Sequence, residues 1–392
     1  MTTAASFRRK VFYVPGFDPF PARRYRELYR REAAEQAAVS GHEISVEKSA
    51  NSSQWRVKSV IEEQSAEIEF EVLVWSDIVQ KEMTPGILAT YWGLLRTVWI
   101  YVSTGALKRL MHLSKGPVIA ALYPVVFLLM QAAFAGLLAL KAAQWASGWL
   151  VWPFGVLIAA VVFVAVLRFG RSLDKWTYAY YLMQDYAYAA RWWGGYGRDL
   201  EERIAVFAQK IGAARHADYD ELLIVGHSSG VHVAISALAQ VPQSTEGPVL
   251  SFLGLGQVVP MMTALPQSDA LRTHLASAAQ RADLTWVDVT APGDGCCFAL
   301  CDPVAVSGAA GAKDRGPLVF SARFSETLSP QRWRALKWRF FRVHFQYLCA
   351  FDRVADYDYF AITAGPQTLA DRYSVRVSSA SRRTVPVFGP AA

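Results

Sequence analysis

Residues 221–239 read ELLIVGHSSGVHVAISALA. Leu222 to Val225 is a short apolar run of the kind a fully buried strand carries, and Val231 onward has the composition of a buried helix. Between them stands Gly226-His227-Ser228-Ser229-Gly230, a Gly-x-Ser-x-Gly pattern. The pattern is short and carries little by itself; its position between a strand and a helix gives it meaning. A serine that turns the chain sharply from strand to helix needs small residues two places before and two places after it, and Gly226 and Gly230 meet that need. A helix starting at Ser229 would also aim free N–H groups at Ser228, where negative charge could develop.

Elsewhere the same alternation recurs. Val11 to Val14 reads as a buried strand and 19–38 as a helix with Arg and Glu on an exposed face. Short strands are expected at 44–46, 55–61 and 67–74. After a long apolar interruption come a helix (199–214), the strand and helix already quoted, a strand (249–253), a helix (269–281), a strand (284–289) and a last strand candidate (317–324). Strands and helices in alternation build a mostly parallel sheet flanked by helices, so the fold class is α/β.

With the Ser228 motif in this setting, the chain resembles the α/β-hydrolase superfamily, and among its members the lipase- and esterase-like serine hydrolases. The likeness covers roughly 1–80 and 196–375. It implies an order of nucleophile, acid, histidine, with the acid after a late strand and the histidine after the last one. On that order Asp294, in the Pro-Gly-Asp-Gly turn past the strand LTWVDV, is the expected acid. Asp302 is the alternative and Asp288, within the strand, ranks third; a turn-forming role would equally suit Asp294. Of seven histidines only His344 lies beyond these acids, which makes it the expected base. His227 is read as lining a pocket at most. The resemblance also implies an oxyanion hole made by the N–H groups of Ser229 and of Phe17, the latter in VFYVPGFDPF after the first strand. Pro15 stands where the family often has His, and Asp18 reads equally well as a turn former or helix cap.

The interruption is the second informative region. Residues 116–140 and 142–167 contain no charged side chain over 25 and 26 residues, and a bilayer-crossing helix needs about 20. Two transmembrane helices are expected, about 117–140 and 149–168, joined as a hairpin with Trp145, Trp149 and Trp152 in an interfacial belt. Pro124 and Pro153 are compatible with such helices. Lys108, Arg109, Lys115, Arg168, Arg171 and Lys175 flank the open ends of the hairpin, and only Lys141 lies near the tip. The positive-inside rule then places the open ends, and the domain attached to them, on the cytoplasmic side. Residues 87–107 are apolar but carry Arg96, and are read as a helix in the interface or beside the hairpin. WTYAYYLMQDYAYAARWW, 176–193, suits either a pocket rim at headgroup depth or an aromatic core.

Composition agrees. The 392 residues are 53 % apolar and 19 % charged, with a formal net charge of +7. The basic residues gather around the spans and along one helix, which favours a membrane over a nucleic acid, and no P-loop or dinucleotide-binding glycine pattern occurs. Cys296, Cys297, Cys301 and Cys349 show neither disulfide nor zinc spacing and read as reduced packing residues, so no metal and no cofactor is expected. Arg8-Arg9-Lys10 is followed by too short an apolar run for a secretory signal, so the N-terminal segment reads as part of the fold.

The expected organisation is therefore an α/β-hydrolase-like domain from 1–80 and 176–375, a membrane insert at 84–175, and a disordered tail at 376–392. The leading function is a membrane-anchored serine hydrolase that cleaves a lipid-borne acyl ester or thioester, with the lipid bilayer and the acyl substrate as its partners. Acyl transfer by the same residues, or a hydrolase fold serving as a membrane scaffold, are the alternatives.

Overall fold

The apolar segments and turns place eight strands in one sheet. The computed structural model describes residues 6–83, 86–147, 152–311 and 315–387, so Trp149 of the expected aromatic belt lies outside the described residues. The strands are β1 (Phe7–Val14), β2 (Glu43–Lys48), β3 (Gln54–Ile61), β4 (Gln64–Val72), β5 (Glu221–His227), β6 (Val249–Leu255), β7 (Leu284–Thr290) and β8 (Leu318–Ser321). Their order across the sheet is β2-β3-β4-β1-β5-β6-β7-β8. The β2–β3 and β3–β4 pairs are antiparallel and the other five are parallel.

Helix α1 (Ala22–Ser40) carries the chain from β1 out to the β2–β3–β4 edge. Then come α2 (Ser76–Glu82), α3 (Ile87–Ser103), α4 (Ala106–Leu113), α5 (Lys115–Ser147), α6 (Trp152–Ser172), α7 (Asp174–Thr177), α8 (Ala179–Arg191) and α9 (Arg198–Ala214), after which the chain returns to the sheet at β5. The order of travel reverses between β1 and β5. In an open α/β sheet such a switch point leaves a crevice beyond the strands' carboxyl ends, where ligands bind.

Both faces of the sheet are covered. Side chains alternate along a strand, so β1 sends Val11 and Tyr13 into one core and Phe12 and Val14 into the other, and β5 divides Leu223 and Val225 from Leu222 and Ile224 in the same way. The carboxyl-terminal half of β1 and the middle of β5 are therefore apolar on both faces, as a parallel region covered on both sides requires. At the amino ends of β1 and β5, Arg9 and Glu221 form a fully buried ion pair. Arg9 also donates to the Gly365 and Gln367 carbonyls, and Glu221 accepts from Ser251 and from the Leu369 amide, so every charge is hydrogen-bonded.

Helices α5 and α6 form a hairpin, longer than expected at 33 and 21 residues. Their most apolar windows have mean hydropathies of 2.1 and 2.2, yet only 22 % and 11 % of those windows is buried inside the molecule. A helix in a soluble core would be mostly covered. Small residues Ala135, Ala139 and Ala146 of α5 and Gly155 of α6 are among the few buried positions, while Leu137, Val156 and Val161 are exposed. Gln131 donates to the Leu167 carbonyl, and Tyr180 of α8 donates to Gln131, which ties both apolar helices to α8.

Two expectations change. Residues 376–387 are docked rather than disordered: the Ser379 amide donates to Val319 at the free edge of β8, the Arg383 amide to Leu300 and the Val387 amide to Val306. Small and polar composition did not reveal this because the stabilising partners are backbone groups of distant loops. Residues 87–107 divide at Gly105 (φ +71) into α3 and α4, with Leu88, Trp92 and Trp99 of α3 exposed.

Candidate functional site

The crevice between the carboxyl ends of β1 and β5 holds the quoted serine. Ser228 follows β5 directly and precedes α10 (Gly230–Leu238). Its φ is +58, a left-handed conformation that a residue with a side chain adopts at a cost of about 1–2 kcal/mol. The Ser228 amide donates to the Leu255 carbonyl at 2.9 Å and its carbonyl accepts from Val231 at 3.1 Å, which holds the turn. The flanking glycines are sterically required. A Cβ on Gly226 would lie 2.8 Å from Val231 Cα, and one on Gly230 would lie 2.2 Å from the Val14 carbonyl oxygen. Gly16 is equally constrained, since its Cβ would lie 2.9 Å from Ser228 Cβ. The loop after β1 is thus packed directly on the serine turn.

Asp294 and His344 meet across the same crevice. Asp294 sits in the loop after β7; its Oδ2 is 2.7 Å from His344 Nδ1 and accepts from Tyr347 Oη at 3.1 Å, and its Oδ1 accepts from the Cys296 amide at 2.9 Å. Burial alone would raise the Asp294 carboxyl, but His344, the Cys296 amide and the Cys297 thiol outweigh it and hold it below the usual range. With Nδ1–H donating to Asp294, the His344 ring leaves Nε2 for another partner, the tautomer being assigned from this bond. Ser228 and His344 both line one cavity of about 90 Å³. Among the described residues the Ser228 hydroxyl has no hydrogen-bond partner, so Ser228 shares the cavity with His344, whose ring Asp294 holds from behind the lining, without being bonded to it.

The other two acids lie elsewhere. Asp302 caps the short helix 303–306, accepting from the Val304 and Ala305 amides at 3.0 and 3.1 Å, and faces Arg382. Asp288 points into the interior of β7, its carboxyl pushed well up by burial and by nearby Asp302. The expected oxyanion donors differ from one another. Among the described residues the Ser229 amide has no acceptor, whereas the Phe17 amide donates to Ser229 Oγ at 2.8 Å. Phe17 N–H is therefore occupied rather than free, because a buried amide takes the nearest oxygen. Asp18 accepts from the Phe20 amide and from Tyr25 Oη; it forms the turn, and α1 begins four residues further on without it as a cap.

Several residues that frame the cavity escape a sequence reading. His227 does more than line the wall: its Nε2 is 2.9 Å from the His344 carbonyl oxygen. Burial lowers its pKa to about 3, so it is neutral and donates, holding the His344 backbone. Helix α8, from the aromatic segment, supplies Tyr181, Asp185, Tyr186 and Tyr188 to the lining. Tyr181 donates to the Phe17 carbonyl. Asp185 has no hydrogen-bond or ion-pair partner among the described residues; burial raises its pKa to about 7, with His344 pulling it back. A lone acid inside YLMQDYAYAA was the available signal for Asp185.

Asp294, Cys296 and His344 also bring ligand-type atoms within 4.8 Å of one another. Burial, reinforced by Asp294 and Asp185, raises the Cys296 thiol well above its ordinary value. A metal ligand must be the thiolate, so the set is better suited to the observed carboxylate–imidazole hydrogen bond. The other cysteines are free thiols, with Cys297 and Cys301 buried.

Compared with protein families, with curated proteins and with solved structures, the chain matches none.

Proposed function

We propose that the protein is a membrane-anchored serine hydrolase of α/β-hydrolase type, acting on an acyl ester or thioester presented by a lipid bilayer. The observation that carries this reading is the left-handed serine at the switch point of the sheet, lining one cavity with a histidine that a buried carboxylate holds. The strand order supports it: a parallel sheet wound to one side from β1 and to the other from β5, with an antiparallel edge, is compatible with that superfamily.

In this reading Ser228 Oγ attacks the acyl carbonyl and His344 Nε2 takes its proton. Asp294 holds the ring and stabilises the imidazolium. The proton then passes to the leaving alcohol or thiol, and water, activated by His344, releases the acid. The oxyanion is received by the Ser229 amide at the α10 terminus, and by the Phe17 amide once it leaves Ser229 Oγ. Helices α5 and α6 span the bilayer and keep the domain at the cytoplasmic leaflet; their low internal coverage supports this anchoring role.

A fluorophosphonate probe tests the assignment. Wild-type protein becomes labelled, and Ser228→Ala loses labelling and at least about 10³-fold in esterase turnover while retaining its melting temperature. An unlabelled wild type, or a labelled Ser228→Ala, overturns it.

A further inference from the structure

A second cavity, of about 110 Å³, adjoins the one that holds Ser228. Tyr186 of α8 and Met261 of the short helix 259–263 belong to both linings and so form the partition between them. The second cavity lies among α3, α4, α5 and α8. From α5 it takes Val118, Ala121, Leu122 and Val125, spaced three and four apart on one helix face.

Its chemistry is apolar. Three wall residues carry hydroxyls: Thr97 donates to the Gly93 carbonyl at 2.7 Å and Tyr101 to the Met261 carbonyl at 3.0 Å, so both are spent on backbone, while Tyr186 belongs to the partition shared with the Ser228 cavity. Water in such a room would need two to four polar partners, and a single water needs only about 10–15 Å³. The space therefore suits a chain of several methylene groups rather than solvent.

We propose that this second cavity is the acyl-chain site: the substrate carries an unbranched acyl chain of about eight carbons or more, whose carbonyl meets Ser228 and whose tail passes between Tyr186 and Met261 to lie against α5. This inference rests on the hydrolase reading for the position of the carbonyl. The placement of the tail stands on the wall that the two cavities share at Tyr186 and Met261. Because the tail site uses α5, one of the two apolar helices, a lipid-borne chain would reach it from the side.

Full-length protein in nanodiscs is assayed with p-nitrophenyl butanoate and decanoate. Each buried methylene is worth about fourfold in kcat/KM, so wild type favours decanoate strongly, and Ala121→Phe, which fills the cavity, lowers the decanoate-to-butanoate ratio at least tenfold. An unaltered ratio in a folded Ala121→Phe protein overturns the proposal. A second measurement is independent of turnover. A diazirine-bearing fatty acid is photo-crosslinked to Ser228→Ala protein, and adducts are expected at Tyr186, Met261 and 118–125. Adducts confined to the outer faces of the hairpin, such as Met130 and Leu137, overturn it. If neither ester is turned over yet the cavity is labelled, the hydrolase reading fails while the chain site stands.

Discussion

Asp185 shows what a single charge can do in this cavity. It faces His344, Cys296 and the tyrosines Tyr101, Tyr181 and Tyr186, and among the described residues it has no cation beside it other than His344 when protonated. Its carboxyl titrates at about 7, being neutral below that pH and ionised above it. In the hydrolase reading, the ionised form stabilises the imidazolium that His344 becomes as it accepts the Ser228 proton. The ratio of wild-type to Asp185→Asn kcat/KM should thus rise as the pH passes about 7, reaching about tenfold at pH 8. A pH–rate profile of the two proteins checks this, and superimposable profiles refute it. Asp294 behaves in the opposite sense: with its carboxyl held below the usual range, its bonds to His344 and the Cys296 amide contribute stability above the unfolded carboxylate pKa, and lose it as pH falls through the lower folded value.

At the scale of elements, the junction of β1, β5 and α10 controls the site. Gly230 opens α10 against the carbonyls of Val14 and Pro15, which are backbone and cannot swing away. Gly230→Ala is expected to destabilise the protein by about 2–3 kcal/mol, of the order of other overpacking substitutions, and to displace the serine turn. Gly16→Ala meets Ser228 Cβ at 2.9 Å and the His227 carbonyl oxygen at 3.2 Å, milder contacts than those at Gly230 and made on the serine itself, so it should depress fluorophosphonate labelling more than stability. Thermal unfolding and labelling rate, measured side by side, separate the two, and the reverse pattern would contradict this geometry. Sequence made the need for small residues at 226 and 230 visible, because both flank the serine in the chain. The need at Gly16 was not visible in that way, since it arises only when β1 lies beside β5.

For the whole molecule, the sheet and the apolar hairpin are separate solutions to burial. The sheet hides its apolar residues between two layers of helices, whereas α5 and α6 leave most of theirs uncovered. A bilayer would complete them, with Lys141 toward the tip and Lys115 and Lys175 at the open ends. In intact bacterial cells an impermeant maleimide should label Lys141→Cys, and label Lys175→Cys only after permeabilisation, each compared with the background from the four native thiols. Labelling of both from the same side would exclude a spanning hairpin. The aromatic segment at 176–193 takes its role from this arrangement: α8 is gripped by Gln131 on one side and by the Phe17 loop on the other, and so roofs the cavity.

Sequence alone determined what depends on neighbours along the chain. The buried strands, the sharp serine turn with its glycines, the two uncharged helices and the α/β alternation are all written as local periodicity and composition. Asp294 and His344 could be named as partners only through a resemblance in their order, and the tertiary structure brings them to 2.7 Å. It alone decided that Phe17 N–H is engaged by Ser229, that Asp302 caps a helix, that residues 376–387 dock on β8 and nearby loops, and that Asp185 faces His344. The Asp302 cap is local, but each of the others is a contact between residues remote in sequence, set by which strands lie side by side and by the demand that buried polar groups find partners.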